Sequence, residues 1–305
     1  MPLFAHLTDI HLSAQSASWS TIDDEADDLL RETIDRLNDT ADLDFVVITG
    51  DVLDVAVPSE LARFTALMDK LQAPWHFVPG NHDGFIDPNH PDSFAPPQAV
   101  PSIAPRMMDP VPYAQKARWS RQVAAGIQLI GLDSRYADDW AGTIGDEQIA
   151  WLRDELETHR DDAVLIAVHH PLHQITPRNS EPYFKNFVAD NAEQVTAVLD
   201  EHPQVKMVLS GHHHANHIAR IGARVHVATA SLTGYPCAYR LIRFEPQGDA
   251  YRIQISTHSP AEAATLAAGL ERARLSPPAQ HMDDPQEWVN LIRGQASDLT
   301  FEQVL

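Results

Sequence analysis

Short apolar runs alternate with helix-period segments along most of this chain. Leu3 to Thr8 has the length of a buried strand, and Asp9-Ile10-His11 follows it directly. From Asp23 to Asn38, apolar residues at 26, 29, 30, 34 and 37 share one face of a predicted helix with an acidic first turn. Phe45 to Thr49 reads as a second strand and runs into Gly50-Asp51-Val52-Leu53-Asp54. Pro58 opens a second helix, with Leu61, Phe64, Leu67, Met68 and Leu71 on one side. A third apolar run, Trp75 to Val78, stops at Pro79-Gly80 and places Asn81, His82 and Asp83 on the turn that follows.

The rhythm resumes with a strand at Ile127 to Leu132 and a helix from about Asp146 to Thr158. The strand Ala163 to Val168 leads into His169-His170-Pro171, and a helix follows near Ala192 to Glu201. Val205 to Leu209 then ends at Ser210-Gly211-His212-His213-His214. Runs at 224–230, 238–245 and 250–257 read as antiparallel strands joined by turns. Strands alternating with helices predict an α/β fold. In open α/β sheets, ligands bind beyond the carboxyl ends of the strands, and all five polar clusters fall at such ends.

Two stretches break the pattern. Eight prolines within residues 84–115 exclude regular structure there and predict a long ordered loop or small cap. Residues 259–305 hold an alanine-rich helix (Ala261 to Arg274), a Pro277-Pro278 break and a short helix near Pro285 to Arg293. The expected organisation is a catalytic unit over 1–258, including the 84–115 loop, and a helical tail over 259–305. The tail packs on its own domain or on a partner subunit, so a homo-oligomer through the cap or the tail is an open expectation.

Composition narrows the function. With 43 acidic against 22 basic residues the net charge is −21, which disfavours a nucleic-acid polymer as partner. A small phosphate substrate remains compatible if metal ions supply positive charge locally. No apolar run is long enough to span a bilayer, and Met1-Pro2-Leu3-Phe4 shows no basic region before an apolar one, so neither a membrane segment nor a signal peptide is expected. The single cysteine, Cys237, cannot form an internal disulfide and fits a reducing compartment, with the cytoplasm as the expected location.

The clusters supply seven candidate ligands: Asp9, His11, Asp51, Asn81, His169, His212 and His214. These exceed what one ion with open positions needs, and they suit two ions roughly 3.5–4 Å apart, with one carboxylate bridging. Nitrogen and oxygen donors without thiolate point to manganese, iron or zinc.

Asp9-x-His11, Gly50-Asp51-x-x-Asp54, Gly80-Asn81-His82-Asp83, His169 and Gly211-His212-x-His214 resemble, in order and spacing, the motif series of the calcineurin-like metallophosphoesterases. Thr8-Asp9-Ile10-His11-Leu12, Val168-His169-His170-Pro171 and Leu132-Asp133-Ser134 look most like the bacterial branch of class III cyclic-nucleotide phosphodiesterases and glycerophosphodiesterases. The resemblance covers about residues 3–257. It implies a four-layer sandwich of mixed sheets flanked by helices. It also implies one ion held by Asp9, His11, Asp51 and His214, and another by Asp51, Asn81, His169 and His212. A metal-bridging hydroxide would then attack a small phosphodiester in line, with His82 beside the leaving group or phosphate and Asp54 orienting His82. The resemblance selects His169 over His170 as the ligand, leaving His170 a hydrogen-bonded supporting role. His213 departs from the small or apolar residue usual between the last two ligands.

Several positions stay open. Asp83 either orients the Asn81 turn or meets solvent. Arg178, Asn179 and Tyr183 are candidate substrate contacts by position, and His90, His173 and His217 are surface or substrate-loop histidines. His6, within the first strand, is expected to be a hydrogen-bonded core residue. The substrate class is open between cyclic nucleotides, glycerophosphodiesters and a broad range of phosphodiesters and phosphomonoesters. An inactive binding module on the same fold is the rival of a different class, and would be expected to have lost a ligand or His82.

Overall fold

A computed structural model of the chain describes residues 1–13, 21–22, 25–84, 117–136, 139–248 and 250–305. The proline-rich stretch expected over 84–115, with His90, lies outside the described residues apart from Gly84.

Two six-stranded mixed sheets form the centre. In the first, β1 (Leu3–Leu7), β2 (Leu43–Ile48) and β3 (Trp75–Phe77) are parallel neighbours, and β10 (Tyr239–Gln247), β11 (Ala250–His258) and β12 (Thr300–Val304) extend the sheet antiparallel from β1. In the second, β5 (Ile127–Leu132), β6 (Ala163–Val168), β7 (Val205–Ser210) and β9 (Arg224–Ala228) run parallel. Antiparallel β4 (Trp119–Ala124) and β8 (His217–Ile221) form its edges.

Alternation along the strands decides the layering. Phe4, Phe45 and Val47 share one core with Leu129, Leu165 and Met207, so these side chains fill the space between the sheets. Their neighbours Ala5, Leu7, Val46 and Ile48 point the other way, against Leu30 and Ile34 of α1 (Ala26–Asn38) and Phe64 of α2 (Pro58–Met68). On the opposite side Ile130, Leu132 and Ile166 meet Leu152 of α3 (Asp146–Thr158) and Val195 of α4 (Ala192–Asp200). The order is therefore helix, sheet, sheet, helix.

Residues beyond 258 are built into this sandwich. α5 (Ala263–Leu275), α6 (Pro277–Gln280), α7 (Pro285–Arg293) and α8 (Ala296–Leu299) precede β12, which pairs with β11. The segment was expected to be a helical tail with a proline break, and its last residues form a strand that closes a sheet edge. The run at 224–228 also departs from expectation. It pairs parallel with β7 in the second sheet rather than forming a hairpin with 238–245. His6 is a core residue, fully buried with its ring nitrogens 2.8 Å from the Thr49 and Thr229 hydroxyls.

Candidate metal centre

The carboxyl ends of β1, β2 and β3 meet those of β6 and β7 at one rim. The turns after these strands are sharp. Asp9 (φ 52°), His11 (43°), Asp51 (52°), His212 (62°) and His214 (53°) are all left-handed, five of the eight such non-glycine residues among those described. That conformation costs an L residue roughly 1–2 kcal/mol, so something must impose it on each. Backbone hydrogen bonds tie the turns together, from Asp9 N–H to Gly50 O and from His11 N–H to Asp51 O, both at 2.9 Å. The Ser231 hydroxyl donates to Asp9 O at 2.7 Å and the Thr233 hydroxyl to Ile10 O at 2.8 Å. At Gly211 any side chain would overlap the Thr8 hydroxyl and the Asp9 carboxylate.

Two buried carboxylates hold the loops from beneath. Asp83, fully buried, accepts from four backbone N–H groups: Asp51 (2.7 Å), Gly80 (2.9 Å), Val52 (2.9 Å) and Leu53 (3.0 Å). Of its two open roles, the geometry places it in turn orientation, shared between two loops. Glu60 does the same for the next stretch, accepting from Asp54, Val55 and Val57 N–H at 3.2, 3.0 and 3.4 Å. Sequence reasoning missed Glu60; its one signal was a glutamate two residues after Pro58 at a helix start.

The candidate ligand atoms converge in two groups. In the first, His214 Nε2 lies 3.2 Å from Asp9 Oδ1 and 3.2 Å from His11 Nε2. In the second, His169 Nε2 lies 3.2 Å from Asn81 Oδ1, 3.2 Å from His212 Nδ1 and 3.1 Å from Asp51 Oδ2. The same Asp51 oxygen is 3.8 Å from His11 Nε2, so one carboxylate oxygen stands between the groups. The other atoms of these side chains are committed outward. Asp51 Oδ1 accepts from His82 N–H (2.8 Å), and Asp9 Oδ2 from the Thr8 hydroxyl (2.7 Å) and His212 N–H (3.0 Å).

A fit test follows from the tautomers. His169 Nδ1 is 2.6 Å from the Thr49 carbonyl, and His212 Nε2 is 3.1 Å from the Asn186 carbonyl. A carbonyl only accepts, so each of those nitrogens carries the proton. The neutral rings then point lone pairs at each other across 3.2 Å. Such a contact needs a proton or a cation. The donor set therefore fits divalent ions.

The electrostatics agree. Burial lowers His169, yet the neighbouring Asp51 carboxylate outweighs it and brings the imidazole up to about 9. Burial likewise opposes charge on His11, and its bond to Asp54 with Asp9 and Asp51 nearby holds it well above the usual range. Asp9 and Asp51 are held low despite burial, chiefly by His214 and by His169 respectively. Without a metal, protons supply the positive charge this cluster demands.

Among the described residues, four groupings of histidine and carboxylate atoms are compact enough to hold an ion: Asp9–His11–His214, Asp9–Asp51–His169, His169–His170–His212 and His11–Asp54–His82. His170 is set apart from the ligands by its bonds. Its Nδ1 meets the Ser134 hydroxyl at 2.7 Å and its Nε2 the Trp140 carbonyl at 3.0 Å, so neither nitrogen is left over. His213 is fully buried and close to the Asn179 amide (3.3 Å).

His82 borders a cavity of about 350 Å³ beside the centre, together with His11, Asp51, Asn81, His212 and His214. Its Nδ1 meets the Asp54 main-chain carbonyl at 2.6 Å, which turns Nε2 outward. The Asp54 carboxylate was expected to orient His82 but stands closer to His11 Nδ1 (3.4 Å) than to His82 Nδ1 (3.9 Å). Tyr183 lines the cavity and Arg178 does not. Arg178 pairs with Glu181, Asp283 and Glu287, while Asn179 is buried and bonds the Ile175, Thr176 and Phe184 backbone. His173 and His217 stack on each other at 5.5 Å. Trp140, Phe187 and Pro277 also line the cavity, and no sequence signal pointed to them.

Carboxylates and imidazoles gathered in two donor groups at the rim of a two-sheet sandwich characterise a metal-dependent phosphoester hydrolase. The chain belongs to the calcineurin-like phosphoesterases, whose family model matches residues 2–216. It is 27% identical over 212 residues to a 3′,5′-cyclic-nucleotide phosphodiesterase from Nostoc, covering 69% of this chain and 70% of that one. A glycerophosphodiester phosphodiesterase from Enterobacter lignolyticus is 25% identical over 218 residues, covering 70% of each. A dimetal phosphatase from Danio rerio shares the fold, with a TM-score of 0.63 at 18% identity over 86% of this chain and 97% of that one. No described helix is long and apolar enough to cross a membrane.

Proposed function

We propose that this chain is a two-metal phosphodiesterase acting on small phosphodiesters. The cyclic-nucleotide and glycerophosphodiester relatives mark the substrate classes to compare. The observation that carries the reading is the pair of donor groups sharing Asp51 Oδ2, each bringing imidazole nitrogens within 3.2 Å of other candidate ligand atoms. Asp9, His11, His214 and Asp51 would hold one ion, and Asp51, Asn81, His169 and His212 the other. Bound ions of manganese, iron or zinc would supply positive charge for the phosphate and activation of water.

The chain's own residues do the rest. The Asp54 carboxylate lies 3.4 Å from His11 Nδ1, and the Thr49 and Asn186 carbonyls set the tautomers of His169 and His212, so the inward nitrogens of those two present lone pairs. His82, with Nδ1 engaged and its ring 29% exposed, can hold a proton at Nε2 for the departing oxygen or donate to phosphate. No lysine or arginine is among the described residues lining the cavity, which favours a diester monoanion over a monoester dianion. The lone, buried Cys237 supports a cytoplasmic location.

The test is turnover of bis(p-nitrophenyl) phosphate by metal-stripped protein as Mn²⁺ is added. Turnover should appear with the metal and be lost in Asp51→Ala. A wild type inactive at every metal concentration, or an undiminished Asp51→Ala, would end the reading. Fewer than one ion per chain after manganese supplementation would favour the inactive binding module.

A further inference from the structure

The family match stops at residue 216, yet the cavity beside the metal centre is partly built by later residues. Its apolar side consists of Trp140, Tyr183, Phe187 and Pro277. Trp140 is 40% exposed, and its ring meets Phe187 at 5.3 Å and 76°, forming an open corner rather than a closed box. A flat ring placed there can stack on one face while its edge meets the other. At about 350 Å³ the cavity is at the size of small-ligand sites.

The segment 277–293 braces this wall. Tyr183 stacks on His281 with centroids 3.5 Å apart, and Arg178 reaches Asp283 and Glu287 at 3.4 and 3.2 Å. Trp288, almost fully buried, packs on Phe187 at 5.9 Å. Between Tyr183 and Phe187 lies Asn186, whose carbonyl takes the His212 Nε2 proton. One braced loop thus carries two of the four wall residues, Tyr183 and Phe187, and fixes the tautomer of a candidate ligand.

We propose that Trp140, together with Tyr183 and Phe187 on the loop that 277–293 braces, forms a subsite for a flat, uncharged ring on one arm of the phosphodiester. The subsite rests on the phosphodiesterase reading of the adjacent centre. Ring stacking of this kind should contribute about tenfold in affinity.

The experiment measures calorimetric binding of three non-hydrolysable probes to Mn²⁺-loaded protein: methylphosphonate, phenylphosphonate and 2-(trimethylammonio)ethylphosphonate. Wild type should bind the phenyl probe about tenfold more tightly than the methyl probe. Trp140→Ala should cut that ratio to about twofold and Trp140→Phe should keep most of it. His281→Ala, an exposed change that frees Tyr183, should reduce it about threefold with methylphosphonate affinity unaltered. Equal binding of phenyl and methyl probes by wild type, or an intact ratio in Trp140→Ala, overturns the subsite. So does a trimethylammonium probe that binds as tightly as the phenyl one, since the wall would then be a cation box. An intact phenyl advantage without metal-dependent diester turnover would tell against the phosphodiesterase reading alone.

Discussion

Replacing Asp83 by alanine isolates what holds the metal loops in shape. The carboxylate is fully buried and accepts four backbone N–H groups, at 2.7, 2.9, 2.9 and 3.0 Å. Each buried donor left without a partner costs about 1–3 kcal/mol, so four would cost roughly 4–12 kcal/mol if nothing relaxed. Two effects bring this down. Burial, then the Asp51 charge, push the Asp83 carboxyl up to about 6, so at pH 8 removing the charge recovers part of the loss. The vacated space also admits water. The net expectation for Asp83→Ala at pH 8 is a loss of about 3–5 kcal/mol, the upper range for a single substitution. Asp83→Asn, which keeps one acceptor oxygen, should lose about 1–2 kcal/mol by the same accounting. The assay is urea unfolding of the metal-free proteins, read as a midpoint shift at constant slope. Because the folded pKa stands above the ordinary 3.8, the native state binds the extra proton between about 4 and 6. Wild-type stability relative to Asp83→Asn should therefore fall as pH rises through that window. Asp83→Ala within about 1 kcal/mol of wild type at pH 8 would refute the account, because the loops would then hold their shape without those four bonds.

His82→Ala should reduce kcat on an alkyl phosphodiester by roughly 10²–10⁴-fold, and less on p-nitrophenyl esters, whose leaving group needs little protonation. Its bound manganese should match wild type; a lost ion would instead place His82 among the ligands, as the His11–Asp54–His82 grouping allows. Cys237 is fully buried, and burial together with the Glu25 charge pushes its thiol up to about 12. Ellman's reagent at pH 8 should leave the native protein untouched and titrate one thiol after denaturation; rapid native reaction would show that this part of the core opens.

The strand ends were readable because an apolar run followed by a polar turn is a local signal. Asp9, His11, Asp51, Asn81, His169, His212 and His214 all sit where such runs stop. What could not be read depends on which strand lies beside which. Residues 224–228 are as apolar as 238–245, and only the parallel place beside β7 assigns them to the second sheet. Residues 300–304 carry no strand signal stronger than many loops, yet an open edge of β11 receives them. Glu60 looks like an ordinary surface carboxylate in sequence, and Asp83 stays open there between orienting the Asn81 turn and meeting solvent. Their burial follows from where backbone N–H groups point, which a one-dimensional pattern does not contain. Trp140, the loop carrying Tyr183 and Phe187, and Pro277 come from three separate segments, and the C-terminal helices pack against that loop.

The charge balance then acquires a local meaning. A chain with net charge −21 repels phosphate everywhere except where it concentrates positive charge. Its centre draws His169 up to about 9 and holds His11 high because Asp9, Asp51 and Asp54 lie within about 4 Å of imidazole nitrogens. A proton held at the inward nitrogen of His169 occupies a place that a cation would take, so metal uptake would displace it. Of the five left-handed positions at the candidate ligands, Asp51 is the one whose N–H is held by a carboxylate beneath the loops, at 2.7 Å from Asp83. On the proposed reading, stability and metal loading would be coupled through Asp83 as well as through the candidate ligands. A change beneath the loops would weaken ion binding without touching a single donor atom.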